Sequence, residues 1–296
     1  MKLSSRDEKR GKKLERIRSF SSALGKYDNI PLASAILENL DRLKGFDNKR
    51  PLVFSISGAP GTGKTTFAKA LGIALKKKFG ISVSRVSLDD FYLPRAERME
   101  LARSIHPLLI TRGPPGTHDV KKLSQVIESL RSGFPARSPV FDKVLDDRVK
   151  QDRLIEPAPV LVCEGWFLGA VPQSIYALDQ PVNEFERIKD KDGIWRSWVN
   201  DQIVLYKEIF FSDVLIFLRA PSFGASITWR RAQEAENEEV SETKRRRNSF
   251  DVEEFLKHFE RLMLWINEDL PTRSQIQIIF DENHNIEKII DASRNE

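Results

Sequence analysis

The chain has 296 residues, 40% hydrophobic and 31% charged, with 48 Lys and Arg against 43 Asp and Glu and a formal net charge of +5. That is ample material for a packed core, and no apolar run approaches the roughly 20 residues of a membrane span. A single cysteine, Cys163, excludes a disulfide framework and points to a reducing, cytoplasmic setting.

Residues 1–18 carry eight Lys and Arg against three acids, which accounts for the whole positive excess. With only a weak helical stripe of Leu3, Leu14 and Ile17, residues 1–29 read as a flexible basic arm or a loosely docked helix. They hold no apolar signal core, and Asp7, Glu8 and Glu15 argue against an acid-poor transit peptide. A helix follows from Pro31 through Leu43, with Pro in its first turn and Gly45 past its end. The apolar run 52–56 reads as a buried strand, and Phe67, Ala70, Leu71, Ala74 and Leu75 recur at helical spacing up to Gly80.

A second strand over 82–88 runs into Asp89-Asp90-Phe91-Tyr92, and 94–119 reads as irregular. A helix is predicted over 120–131, then a loop with Pro135 and Pro139 that carries Phe141-Asp142-Lys143 and Arg148. Strand three, 159–163, ends at Glu164-Gly165-Trp166. Residues 171–194 read as loop, and 195–211 as a helix whose Trp195, Trp198, Tyr206, Phe210 and Phe211 form a packing face. Strand four, 213–218, ends at Arg219, a polar helix spans 224–238, and an amphipathic helix runs from Phe255 to near Pro271. Gln275–Phe280 is the last predicted strand. Strands alternating with helices predict an α/β fold, a largely parallel sheet with helices on both faces, over one domain of residues 30–296.

Between the first strand and its helix lies Ser57-Gly58-Ala59-Pro60-Gly61-Thr62-Gly63-Lys64-Thr65-Thr66. In the order strand, glycine loop, helix, this spacing is that of a phosphate-binding loop. Glycines let backbone N–H groups close round a phosphate, and the helix N-terminus adds partial positive charge. Lys64 reaches the β- and γ-phosphates, and the Thr65 hydroxyl is placed for Mg²⁺. ATP with Mg²⁺ is the expected ligand.

In an open parallel sheet, ligands bind outside the carboxyl ends of the strands. Asp89, Glu164 and Arg219 sit just past strands two, three and four, so two carboxylates and a cation are expected to converge on the loop. Phosphoryl transfer to a hydroxyl uses one carboxylate on the acceptor proton and another at the metal. Asp89 is assigned the base role and a share in the metal site, with Asp90 as the alternative base, and Glu164 is assigned chiefly to the metal. Arg230, in a lid-like charged segment around 224–249, is placed to bring a cation onto the phosphates. His258 and His284 have no metal-like partners in the sequence and read as surface or helix residues. The cluster Lys244–Arg247 lies amid the acids of 234–242 and reads as solvated, so nucleic acid is not an expected partner.

Gly58–Thr65, Asp89-Asp90-Phe91-Tyr92-Leu93, Arg112-Gly113-x-x-Gly116-x-His118-Asp119 and Glu164-Gly165-Trp166-x-Leu168-Gly169 together resemble the plant-type D-glycerate 3-kinases and their fungal and bacterial relatives. These lie within the phosphoribulokinase and uridine kinase group of P-loop kinases. Val182-Asn183, Pro221-Ser222 and Trp229-Arg230 extend the match over about residues 50–280. The resemblance implies a P-loop NTPase-type three-layer sandwich with a five-stranded parallel core, Asp89 as catalytic base and Glu164 as a metal-site carboxylate. The short basic N-terminal region and the charged stretch 234–249 depart from the pattern.

It also implies a small hydroxy acid as acceptor, D-glycerate being the specific expectation. Its carboxylate needs a fixed cation, for which Arg112 is the candidate, since a guanidinium can bind a carboxylate through two parallel hydrogen bonds. Tyr92, His118 and Asp119 complete the expected pocket, with Lys143 or Arg148 able to replace Arg112. Alternatives are a kinase for uridine, pantothenate or a sugar phosphate, and, in a different class, a nucleic-acid-associated NTPase that uses the basic arm.

Overall fold

The computed structural model describes residues 5–43, 50–207, 209–240 and 251–292. A central sheet is built from β1 (Leu52–Gly58), β2 (Val83–Ser87), β3 (Val160–Gly165), β4 (Val214–Arg219), β5 (Ile276–Phe280) and β6 (Ile286–Asp291), in the order β6-β5-β4-β1-β3-β2. The first five strands pair in parallel, and β6 returns antiparallel beside β5. The sheet therefore has six strands rather than the five expected. The sixth was hidden because Ile286-Glu-Lys-Ile-Ile-Asp is a half-exposed edge strand without a continuous apolar run. β1, β3 and β4 are buried almost throughout, the pattern of strands covered on both faces.

Helices surround the sheet: α1 (Ser5–Ala23), α2 (Ile30–Leu43), α3 (Lys64–Phe79), α4 (Arg95–Ser104), α5 (Val120–Arg131), α6 (Ile194–Gln202), α7 (Phe223–Val240) and α8 (Val252–Asp269). α3 stops where Gly80 takes a left-handed backbone, its N–H bonding Lys76 O while Ile81 N–H reaches Leu75 O. α8 opens on Asp251, whose carboxylate accepts from the N–H groups of Glu253 and Glu254, and buries Leu256, Phe259, Leu262, Met263 and Ile266.

Several segments differ from their predicted form. Residues 5–29, expected as an arm or a loosely docked helix, form α1 and a 3₁₀ turn whose Ile17, Phe20, Leu24 and Tyr27 join the main core, so the segment is packed rather than loose. Their i, i+3, i+4 spacing is diluted by charge, but one stripe is enough to dock a helix. Residues 94–119, expected as irregular, contain α4. That helix is polar, and its anchor is Arg98, 1% exposed, which donates to Leu93 O, Ile110 O and Asp146 O. Apolar periodicity cannot register such an anchor.

In the stretch that follows α5, predicted as a loop with Pro135 and Pro139, Ala136–Ser138 pairs with Arg153–Ile155, and Phe141–Asp142 with Asp147–Arg148, making a hairpin that carries Lys143 at its turn. The stretch 171–194 holds two short helices, Ile175–Leu178 and Glu184–Lys189. The helix expected over 195–211 breaks at Ile203. Of its aromatic face, Trp195, Tyr206 and Phe210 are buried, while Phe211 is exposed.

Phe20 is fully buried and its ring lies 5.6 Å from that of Phe79. Phe20→Ala is expected to lower unfolding free energy by about 3–5 kcal/mol in urea titrations. A loss below about 1 kcal/mol would mean that α1 does not belong to the folding core.

Candidate active site

β1 carries the chain into the phosphate loop beside β4. A side chain at Gly58 would lie 2.5 Å from Leu218 O, so only glycine permits this exit from the sheet. Gly61 has φ +87°, and a Cβ there would meet Arg230 N at 3.0 Å and Trp229 Cβ at 3.1 Å, so the loop passes directly under α7. The first bond of α3 runs from Phe67 N–H to Gly63 O at 2.9 Å, leaving the N–H groups of residues 64–66 without helical partners. This open row of donors is a cradle for an anion.

Lys64 Nζ donates to Ala59 O at 3.0 Å. Burial pushes this ammonium down to about 8, against the opposing pull of Glu164 and Asp89. Thr65 Oγ1 donates to Glu164 Oε1 at 2.7 Å, which sets a hydroxyl and a carboxylate side by side at the first turn of α3. Among the described residues, no group of three His, Cys, Asp or Glu side chains could hold a metal ion. The pair Thr65 and Glu164 nonetheless fits Mg²⁺, which takes hard oxygen donors, often one carboxylate plus phosphate oxygens and water.

Asp89 and Asp90 follow β2 on a 3₁₀ turn and face different ways. Asp89 lines the cleft, with Tyr92 OH donating to Oδ1 at 2.7 Å and Lys143 Nζ to Oδ2 at 2.5 Å. Burial acts to raise its pKa, but Lys143, Lys64 and Tyr92 outweigh it and hold the carboxyl well below the usual range. Asp90 instead accepts from Arg153 Nη2 at 3.0 Å, and burial pushes its pKa up. It is not among the cleft-lining residues.

Arg112 also lines the cleft. Its guanidinium carbon lies over the rings of Phe141 and Phe255, at 5.7 and 5.6 Å from their centroids, and Nη1 donates to Asp146. Asp146 accepts from Arg98 as well, so Arg112 is held through a half-buried acid shared with Arg98. Trp166 forms another wall, with its indole N–H on Gly113 O at 2.9 Å. From α7, Arg230 reaches the cleft, donates to Gln233 Oε1 at 3.0 Å and pairs with Glu234, while its buried Nε has no partner.

The structure does not bring every expected residue to the cleft. Segments 91–93 and 117–119 pair through Leu93 N–H to Thr117 O and Asp119 N–H to Phe91 O, which puts Tyr92 between His118 and Asp89. His118 is buried against Tyr92, with Nδ1 2.9 Å from Tyr206 OH, and burial lowers its pKa to about 3, so it is neutral. Asp119 caps α5 through Lys122 N–H and pairs with Arg148 at 3.1 Å. Arg219 is beside Ile279 of β5 and does not line the cleft, and Lys244–Arg247 lie outside the described residues. Sequence reasoning missed Trp166, Gln233, Phe255 and Phe259 as lining residues. Of these, only Trp166, directly after Glu164-Gly165, stood where strand-end logic could have found it.

An anion cradle with its lysine, a Thr–Glu pair and a second strand-end carboxylate define a P-loop kinase, a phosphotransferase. The pattern of the phosphoribulokinase/uridine kinase family matches residues 53–180. The chain is 33% identical to a protein of Schizosaccharomyces pombe described as an uncharacterized kinase, mug58, over 62% of this chain and 70% of that one. The chain belongs to the phosphoribulokinase/uridine kinase family, whose kinases use ATP with Mg²⁺. It is also 33% identical to a chloroplastic D-glycerate 3-kinase of Arabidopsis thaliana over 44% of this chain, but spans only 31% of that enzyme. A solved D-glycerate 3-kinase from Cryptococcus neoformans shares the fold, with a TM-score of 0.74 at 24% identity over 87% of this chain and 97% of that one. Among the described residues, no helix is long and apolar enough to cross a membrane.

The lowered pKa of Lys64 predicts a pH signature. Below about 8, folded and unfolded chains both hold the proton, and the folded state bears the whole cost of burying the charge. As pH rises from about 8 toward the ordinary 10.5, the unfolded chain binds more protons and this group's penalty disappears. Relative to Lys64→Met, the ligand-free wild type should therefore gain melting temperature between about pH 8 and pH 10. A wild-type-to-variant difference that stays flat across that range would rule the effect out.

Proposed function

We propose that this kinase phosphorylates a hydroxyl of a small hydroxy acid, with D-glycerate to 3-phosphoglycerate as the reaction. The observation that carries the reading is Arg112, a guanidinium in contact with two aromatic rings on the wall of the cleft that holds Asp89 and Lys143. A rigid fork of donors suits a carboxylate, and a second cation beside the strand-end acid suits an acceptor that bears an anion next to its reacting alcohol. The similarity to the plant D-glycerate 3-kinase supports the same choice.

A contact or a place in the cleft supports each role. The N–H groups of residues 64–66 and the Lys64 ammonium bind the β- and γ-phosphates. Thr65 and Glu164 would hold Mg²⁺, which would supply neutralising charge to the phosphates of a bound nucleotide. Asp89, occupied by Lys143 and Tyr92, is better suited to the acceptor than to the metal. As the acceptor oxygen bonds to the γ-phosphorus and the bond to the ADP oxygen breaks, Asp89 takes the hydroxyl proton. Its low pKa keeps it in the accepting form, and the loose transition state of phosphoryl transfer does not call for a strong base. Arg230 places positive charge on the phosphates from α7. His118 and Asp119 do not line the acceptor pocket: His118 packs on the Tyr92 ring, and Asp119 pairs with Arg148, whose Nε donates to Tyr92 O at 2.9 Å.

ADP release measured over a panel of D-glycerate, pantothenate, uridine and a sugar phosphate tests the reading, with D-glycerate expected to be the substrate. Turnover of pantothenate or uridine with none of D-glycerate would overturn the acceptor and leave the kinase. Arg112→Lys should raise the KM for glycerate about tenfold and leave that for ATP unchanged, because lysine keeps the charge without the fork.

Asp89→Asn should cost about 10²–10⁴ in kcat while ADP still binds, and Asp90→Asn should change turnover little. The reverse ranking of the two variants would move the base to Asp90.

A further inference from the structure

The turn between β5 and β6 is closed by its own hydrogen bonds: Asp281 N–H to Asn285 O at 2.9 Å, His284 N–H to Asp281 O at 3.0 Å, and Asn285 N–H to Asp281 Oδ1 at 2.8 Å. Within it, His284 has φ +66°, a left-handed backbone that among non-glycine residues asparagine, aspartate and histidine adopt most readily. Its side chain reaches out of the turn, and Nε2 lies 3.2 Å from the carbonyl oxygen of Thr62 in the phosphate loop. A carbonyl only accepts, so Nε2 carries the proton and donates. The ring also stacks on Trp229 of α7, with centroids 4.2 Å apart and planes 19° apart, and the Trp229 indole N–H returns to Glu282 O at 3.2 Å. On the next peptide of the loop, Tyr27 OH donates to Gly63 O at 3.0 Å.

A peptide unit is planar and trans, so its C=O and the following N–H point in opposite directions. Holding the Thr62 carbonyl outward on His284 turns the Gly63 N–H inward. Holding the Gly63 carbonyl on Tyr27 and on Phe67 N–H does the same for the Lys64 N–H. We propose that His284 is a positioning residue for the nucleotide: its ring N–H sets the 62–63 peptide of the phosphate loop, and its stack on Trp229 ties that loop to the helix carrying Arg230. Tyr27 is its counterpart on the 63–64 peptide. Both act through the loop backbone and touch no phosphate. The inference concerns nucleotide alone and is independent of the acceptor.

Calorimetric titration of the full chain with ADP and Mg²⁺ tests it. His284→Ala should weaken ADP about three- to tenfold, the worth of one lost hydrogen bond. His284→Gln, which offers an N–H at similar reach, should recover most of that loss. His284→Phe, which keeps a ring on Trp229 without a donor, should not. Tyr27→Phe should weaken ADP in the same direction, and the pair of changes more than either alone. His284→Gly, which accepts the left-handed backbone without strain, keeps the measurement possible if the alanine variant does not fold. Wild-type ADP affinity in the Ala and Gly variants would overturn the proposal. Rescue by Phe and not Gln would also overturn it, as would a loss of affinity that Gln fails to rescue and that tracks a fall in melting temperature, the mark of a purely structural residue.

Discussion

The parallel register of β1 between its two neighbours is the constraint on which the site depends. Pairing sets Ile56 beside Glu164 and Gly58 beside Leu218. The carboxylate of the adjacent strand therefore ends level with the start of the phosphate loop, and the turn into α3 brings Thr65 to within 2.7 Å of it. A one-residue slip would reverse the facing of every side chain on β1, so the core that buries Val53, Phe54 and Ile56 also holds the geometry of the Thr65–Glu164 pair. Packing and chemistry are fixed by one set of backbone hydrogen bonds.

The other wall of the cleft rests on a different principle. Arg98, Arg196 and Arg261 are all buried and spend their donors on backbone carbonyls and on Asp146, Asp190 and Glu186 respectively. Each gathers short segments that have too little apolar surface to hold themselves. Arg98 joins α4 to the hairpin that carries Lys143, and Arg261 joins α8 to residues 177–186. Guanidinium suits this use because its five N–H groups diverge in one plane and can satisfy several carbonyls at once. The wall is directional, held by angles as well as by contact.

This division explains what could be read from the sequence. The five parallel strands, α3, α5 and α8 carry continuous or periodic apolar residues, and the phosphate loop has a fixed spacing, so each was visible. Asp89 and Glu164 were found because strand ends in such a sheet face the ligand side. α4 and the hairpin of residues 141–148 escaped because their anchors are arginine networks, which have no period. The withdrawal of His118 and Asp119 could not be read either, since it comes from the pairing of residues 91–93 with 117–119, a contact between segments with no strand pattern. His284 read as unremarkable because its partner, the Thr62 carbonyl, lies 222 positions away in the chain.

The sixth strand has a consequence beyond completing the sheet. An uncovered parallel edge offers a row of free N–H and C=O groups onto which a stray strand can add. By returning antiparallel, β6 takes that place beside β5, and it exposes Glu287 and Lys288 there instead of an apolar run. At the opposite border, β2 exposes Arg85. Charged borders of this kind oppose runaway strand-to-strand association, so the sheet is terminated chemically as well as geometrically and a crowded solution gains no template from it.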